Sequence, residues 1–577
     1  MSPTKTSLLY SYSTIVEAQK LFSTLISDNN LPLSPEIRAC AQHITICGKE
    51  TWPTIPTPWK ETEAITTFKA LEAATAIALG KLRFGFDQTG TVDADHATTF
   101  LFMNYLSSID GYGKWDAKSV ERLKPTDLFE AQSNLYRRLS SGIYKTKDPN
   151  IYYHTHGSLD STPTLQLIGL PGYNPKLTRY DEIVNQIQNH CSKFTAEELD
   201  AGTERNRQAG GPVLKRVDFL KTAQGQAVTK EPLISMTELE SSSPPALWPV
   251  LPPSSGSDKP QILAGIKILD LSRVIAGPVI SRTLAEYGAN VLKVTSTALP
   301  DVPYFQLDLN FGKRTTDLNL KDPEDRKKFE ALLDDGVDVI IDGYRTGSLE
   351  RLGYGYQSLV KRFATRGKGF VYVAENCFGF SGPWKESSGW QPIADAVSGV
   401  AWGHGQALGL DQPVLPPFAI ADFATGELGV IAALTGLWNR AVKGGSYLAT
   451  VSLTKYNLWL QSLGQLPPEV WDRVFEAHAA VPQTIPKIPG EPEISMRALN
   501  HLSNFDIVSK AAMQSMKHLH PGLFDDRYMF EAESPGFGKD GKPGLVKSCK
   551  PVVSLSATRN EFTRTTRPNG HDKPIWN

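Results

Sequence analysis

Gly265-Ile266-Lys267-Ile268-Leu269-Asp270-Leu271-Ser272-Arg273-Val274-Ile275-Ala276-Gly277-Pro278 is the stretch whose reading decides the fold. Ile266 to Leu271 is a short β-branched run, Pro278 to Tyr287 reads as a helix closed by Gly288, and Asn290 to Val294 gives the next strand, so the stretch predicts a βαβ unit. Asp322-Pro323-Glu324 opens another helix, with Asp322 as its cap and Pro323 in its first turn. It leads into Val337-Asp338-Val339-Ile340-Ile341 as a third strand, and Gly369 to Ala374 supplies a fourth. This alternation predicts an α/β fold with a doubly wound, parallel, Rossmann-like sheet. The turn after the first strand is not GxGxxG, and Asn290 to Thr295 offers no acidic residue for a ribose, which argues against a nicotinamide dehydrogenase.

The whole chain has 577 residues, 40% hydrophobic and 21% charged, enough for several buried cores. Its 60 basic and 61 acidic residues leave a net charge of -1, so no overall field favours nucleic acid or an anionic membrane, and any anionic ligand must be held by local cations. Cys40, Cys47, Cys191, Cys377 and Cys549 are scattered without a CxxC pair, which argues against a disulfide framework and against a metal site. A reducing, cytoplasmic setting is expected, with mitochondrial or peroxisomal placement open: Met1 to Ser7 and the broken apolar stretches after them lack a signal core, and Pro574-Ile575-Trp576-Asn577 is no peroxisomal tripeptide. No uncharged run is long enough to span a bilayer. Ser241 to Pro260 reads as a Pro/Ser-rich linker, and a second Pro-rich stretch runs from Pro482 to Pro492.

Farther on stands Pro416-Pro417-Phe418-Ala419-Ile420-Ala421-Asp422-Phe423-Ala424-Thr425-Gly426-Glu427. Alone, an Asp before an apolar helix reads as an N-cap. Its neighbours change that reading. Leu269 to Pro278, Leu284 to Val294, Asn310 to Thr315, Asp317 to Pro323, Gly347 to Gly353, Phe378 to Pro383 and Ala396 to Gly399 succeed one another in the order and spacing of class III CoA-transferases. The chain resembles that CaiB/BaiF-like family, which includes formyl-CoA transferases, carnitine CoA-transferases and α-methylacyl-CoA racemases.

The resemblance implies an enzyme that moves coenzyme A between carboxylic acids, with the acyl-CoA and the acid as its partners and no metal. Asp422 matches the family's nucleophile, which forms a mixed anhydride and then an aspartyl-CoA thioester, and backbone N–H groups of Ala424, Thr425 and Gly426 are expected near the developing oxyanion. Lys321 and Arg351 match positions near the nucleotide phosphates. Tyr344 and Arg345 come directly after the third strand at the carboxyl edge, where they would flank the adenine or the phosphates, and Ala276 and Gly277 are expected against the cofactor as well. Ser296 stands where some members carry an arginine. Gly389-Trp390-Gln391 replaces the Gly-His-Asp run of the racemase branch, leaving an acyl-CoA racemase or isomerase without its base. A non-catalytic acyl-CoA-binding or scaffold relative is the other alternative. His404, in Gly403-His404-Gly405, reads as a surface loop residue.

Residues 1–130 resemble the family's post-nucleophile region as an imperfect repeat, with Ile65 at the place of Asp422, so one nucleophile per chain is expected. Residues 131–235 resemble its small α+β domain through Gly142 to Asp148, Tyr152 to Gly157, Phe194 to Leu199 and Gln208 to Val213. There His154 and His156 alternate along a strand and share a face in a structural role. The expected plan continues with the linker at 236–260, the CoA-binding sheet domain and nucleophile helix at 261–480, and an extension at 481–577. The domain order is thus permuted. An interlocked homodimer is expected, in which extended segments seek a partner surface.

Overall fold

The computed structural model describes residues 12–239, 242–248, 259–482, 489–490 and 505–576. Parts of both Pro-rich stretches and the first residues of the chain lie outside the described residues.

The N-terminal region is organised on helix α1 (Glu61–Phe84), buried along nearly its whole length. A small antiparallel sheet comes next, in the order β1 (Gly142–Lys145), β2 (Tyr152–His156), β3 (Ala209–Pro212). The main sheet takes β4 (Ser235–Glu238), β5 (Lys267–Leu271), then after helix α2 (Ala276–Glu286) β6 (Asn290–Thr295), β7 (Lys313–Asp317), β8 (Val339–Asp342) and β9 (Val371–Asn376). Helices α3 (Gln391–Ser398) and α4 (Ile420–Lys443) precede its last strand, β10 (Tyr447–Ser452). In space the order is β7-β6-β5-β8-β9-β10-β4, parallel from β7 to β10 and closed by β4 running antiparallel to β10. The order reverses between β5 and β8, which opens a crevice at their carboxyl ends.

Both faces of the sheet are buried. Ile268, Val291, Val339 and Val371 pack towards α2 and α4, while Leu269, Leu292, Ile340 and Tyr372 pack against helices on the other face. Near-continuous apolar runs are what a strand covered on both faces requires. The Asp322 cap forms as expected: its carboxylate accepts from the Glu324 and Asp325 N–H groups at 2.9 and 3.1 Å.

Two strands correct the sequence reading. β7, Lys-Arg-Thr-Thr-Asp, is not among the strands the sequence predicts, for it has no apolar run; Lys313 is buried against Asp270 at 3.0 Å and Arg314 donates to the Ile575 carbonyl at 2.7 Å, so ion pairing and the C-terminal segment replace apolar burial. β4 occupies the start of the expected linker, because its backbone finds partners from Tyr447 to Thr450 on the open edge of the sheet.

The internal repeat has a structural counterpart. α1 and α4 each span 24 residues, each is closed by Gly85 or Gly444 at positive φ, and each leads to a strand and a further helix. Counted from the helix start, Glu63 and not Ile65 stands where Asp422 stands in α4, and the Tyr12 hydroxyl closes it off by donating at 2.6 Å. The long helices pack together through a buried charge: Lys69 lies 2.7 Å from Glu427 and 2.9 Å from Glu72. α4 is long and apolar enough to cross a membrane, but it is enclosed by the protein. The C-terminal extension packs on its own chain: Val553–Leu555 pairs with Gly90–Asp93, and Trp576 donates to the Leu332 carbonyl at 2.9 Å.

Candidate active site

Asp422 is the third residue of α4, and Ala419 occupies the N-cap without a side-chain bond, so Asp422 is not the cap. The helix start is set by Phe418, held at φ +64, a conformation that an aromatic residue adopts only when its surroundings impose it. Opposite, Val274 at φ +67 does the same before α2. The small residues of α4 serve packing: a Cβ on Gly426 would stand 2.7 Å from Val279 Cβ, and one on Gly429 would stand 2.4 Å from Ile280 Cδ1. Ala424, Thr425 and Gly426 lie inside the helix, where their N–H groups belong to the i−4 ladder, so they do not form the expected oxyanion donors.

Asp422 faces a cavity of about 140 Å³. Val274, Ile275 and Phe305 wall one side, Trp390 and Gln391 another, and His154, His156, Lys114 and Arg138 arrive from the N-terminal half. Burial, with the charges of Glu375 and Asp395 after it, pushes the Asp422 carboxyl well above the usual carboxylate range. Burial likewise raises Glu375 to about 8, and raises Asp395 to about 7 against the opposing bond from Asn457. Asn457 Nδ2 donates to Asp395 at 2.8 Å, and Gln391 Nε2 donates to its other oxygen. The helix N-terminus favours the ionised carboxylate while the acidic neighbours oppose it, which leaves a carboxylate of raised basicity.

His154 and His156 share a face as expected, but that face is the cavity wall. Their rings stack 5.7 Å apart, and His156 continues onto Trp390 at 5.8 Å. Burial holds His154 down to about 4, and burial and then His154 hold His156 well below its ordinary value, so both are neutral at pH 7. His156 Nδ1 accepts the Ser158 N–H at 2.9 Å, which places the ring proton on Nε2. His404 is not on a loop: it is buried in the helix Val400–Ala407 with Nδ1 3.2 Å from the Val414 carbonyl.

A second cavity, about 700 Å³, lies at the carboxyl edge between the main sheet and the small one. Arg345, Arg351, Arg207 and Lys385 line it together with Trp384 and Gly211. Burial and then the charges of Arg207, Arg273 and Arg351 hold Arg345 below the usual guanidinium range, although Asp200, Glu204 and Glu386 line the same cavity. Tyr344 leads from β8 into the crevice, its N–H donating to Asp342 at 3.0 Å and its ring 5.4 Å from the Arg273 guanidinium. Lys321 is exposed in the turn before the helix Pro323–Asp334 and lines neither cavity. Ala276 and Gly277 also line neither: Gly277 is buried where a Cβ would stand 2.4 Å from Ser272 Cβ, so its small size serves the approach of α2 to β5. Ser296 caps a turn, accepting the Ala298 N–H at 3.3 Å. Sequence reasoning missed Arg207, Lys385, Lys114 and Arg138 as site residues. Arg207 abuts the Gln208 to Val213 motif, which could have drawn attention to it; Lys114 sits in no motif.

The profile of CoA-transferase family III matches residues 263–473. The acetyl-coenzyme A transferase nodX of Hypoxylon pulicicidum is 37% identical over 580 residues, covering 97% of this chain and 93% of that protein. The human succinyl-CoA:glutarate CoA-transferase is 33% identical over a segment covering 32% of this chain and 43% of its own length. A CAIB/BAIF family protein from Brucella suis, known by crystal structure, is 26% identical over 36% of this chain and 56% of its own, with a TM-score of 0.30. From the near full-length match, the chain belongs to CoA-transferase family III.

Proposed function

We propose that this protein transfers coenzyme A between carboxylic acids through covalent catalysis by Asp422. The observation that carries the reading is a carboxylate of raised basicity facing a small cavity, together with a larger cavity lined by Arg207, Arg345 and Arg351. The main sheet acts as a doubly wound, Rossmann-like platform: the CoA nucleotide lies at its crevice, with phosphates on Arg345, Arg351 and Arg207 and the base near Tyr344. The pantetheine arm runs from there towards Asp422.

One Asp422 oxygen attacks the thioester carbonyl carbon, the C–S bond breaks, and CoA leaves as the thiolate. The thiolate then attacks the aspartyl carbonyl of the mixed anhydride, releasing the donor acid and leaving aspartyl-CoA. The acceptor carboxylate attacks that thioester, expels the thiolate again, and receives it at its own activated carbonyl, which restores Asp422. In this reading the His156 Nε2–H, and not the α4 backbone, donates to the oxyanion.

The test is trapping. Incubation with a panel of acyl-CoAs and then with hydroxylamine should convert Asp422 to a hydroxamate found by peptide mass spectrometry, and Asp422→Asn should abolish transfer while the protein stays folded. Full transfer by the Asn variant with a substrate used by the parent overturns the reading.

A further inference from the structure

Glu375, near the carboxyl end of β9, has no hydrogen bond or ion pair to its carboxyl among the described residues, and neither has Asp422. Val371 and Val373 pack with α4 while Tyr372 and Ala374 pack on the other face, so the period of two turns Glu375 to the α4 side. α4 runs antiparallel to the strands. Arg440 near its end reaches Asp338 ahead of β8 at 2.6 Å, and a Cβ on Gly436 would stand 2.6 Å from Val371 Cγ1, so its first turn brings Asp422 to the carboxyl end where Glu375 stands. The two cavities approach each other at this point. Cys377 Sγ lies 3.7 Å from the carbonyl of Trp390, a wall of the reactive cavity, while Asn376 donates to Thr346 Oγ1 at 3.2 Å, and Thr346 and Phe378 line the larger cavity. Gln391 on the reactive wall, 2% exposed, is held by Asp395 through Nε2 and leaves its buried Oε1 without a partner, a polar group that a bound molecule would satisfy.

Resting on the transferase reading of Asp422, we infer that Glu375 is a second catalytic carboxyl, the proton donor and acceptor for the CoA sulfur on its way between the two cavities. As Asp422 attacks the thioester and the C–S bond breaks, the sulfur takes the Glu375 proton, leaving CoA thiol, the mixed anhydride and the Glu375 carboxylate. When the sulfur attacks the aspartyl carbonyl, Glu375 takes the proton back and the donor acid departs as its carboxylate. The acceptor half repeats both steps, so Glu375 ends the cycle protonated. The groups that face it explain the need: Asp342 from β8, Asp422 from α4 with Asp395 of α3 beyond it, and Cys377 on its own segment, while β10 sets only Val451 and Ser452 against it and its neighbour. A free thiolate released there would add negative charge to an acidic surrounding, and the proton removes it. Burial and then Asp342 raise Glu375 to about 8, close to the value of about 8.5 for a free thiol, so the proton passes in either direction at little cost.

The test is the pH dependence of transfer by the full-length parent, Glu375→Gln and Glu375→Asp, using the acyl-CoA that labels Asp422 in the hydroxylamine panel and checking each variant's melting temperature. The parent's kcat should fall as pH rises through about 8, because ionisation of Glu375 removes the donor. Glu375→Gln should slow both transfer and the labelling of Asp422 by at least about tenfold and lose that alkaline fall, and Glu375→Asp should bring the fall back. A parent without an alkaline fall overturns the inference with no variant needed. Labelling of Asp422 at the parent rate in Glu375→Gln, or a slower variant with the parent's pH profile, overturns it too and leaves the transferase reading intact. A parent in which no acyl-CoA labels Asp422 sinks the transferase reading and this inference with it.

Discussion

Lys69 joins the two long helices, and Lys69→Met measures how far the fold depends on that joint. The ammonium is 1% exposed, 2.7 Å from Glu427 and 2.9 Å from Glu72. Burial and then Glu72 hold the Glu427 carboxyl well above the usual range, whereas for Glu72 the pull of Lys69 outweighs burial and holds it below. The charge of Lys69 is therefore met chiefly by Glu72, while Glu427 is held towards its neutral form. Methionine keeps the volume and removes the charge, leaving Glu72 buried with the Tyr287 hydroxyl at 2.6 Å as a remaining donor. At worst Glu72 takes up a proton, which costs about 1.4 kcal/mol per pH unit above a carboxyl pKa near 4.3, hence about 3.7 kcal/mol at pH 7 and about 1 kcal/mol at pH 5. Loss of one partner from a buried pair costs about 3–5 kcal/mol in general, so the two estimates agree. Linkage sets the sign: in the parent the folded pKa of Glu72 is depressed, so its contribution is present above the unfolded value, whereas in the variant it is raised and a deficit opens as pH rises. Urea denaturation at pH 5 and pH 7 should show a deficit of about 3–4 kcal/mol at pH 7 that shrinks to about 1 kcal/mol at pH 5. A deficit under about 1 kcal/mol at pH 7, or the same deficit at both pH values, refutes the reasoning.

Arg345→Ala and Arg351→Ala should each weaken CoA binding by roughly 1 kcal/mol in calorimetry, the modest value of exposed charge-assisted contacts, with Lys321→Ala as the surface comparison; unchanged affinity in both variants removes the second cavity from the CoA site. Gly426→Ala sets a methyl 2.8 Å from the Ala276 carbonyl as well as against Val279, so it should cost about 1–3 kcal/mol by overpacking and slow transfer as α2 is displaced; an unaltered melting temperature contradicts this role of the glycine. Asp395→Asn removes a like charge beside Asp422, so the acid limb of the pH–rate profile, below which Asp422 is protonated and inactive, should move to lower pH; no shift, or an upward one, shows that Asp395 does not act on the nucleophile.

Local chemistry made a good part of this protein readable. β5, β6, β8 and β9 are apolar runs because both faces of the sheet are covered, and the Asp322-Pro323 start is a property of a few adjacent residues. Asp422 and Arg351 stand in motifs whose spacing survives without knowledge of the fold, and Arg345 is legible from its place directly after the third strand. The tertiary structure decided what depends on partners far away in the chain. β7 is a strand because Asp270 and the C-terminal segment satisfy its charges, a fact that no periodicity contains. Gly277 and Gly426 are small because helices approach there, and helix proximity is invisible in composition. Lys114, Arg138 and the stacked histidines face Asp422 because the N-terminal half folds over the crevice, so the cationic end of the reactive cavity exists only in three dimensions. A charge in a sequence has no environment, and both the raised basicity of Asp422 and the depressed ammonium of the buried Lys114 are properties of environment.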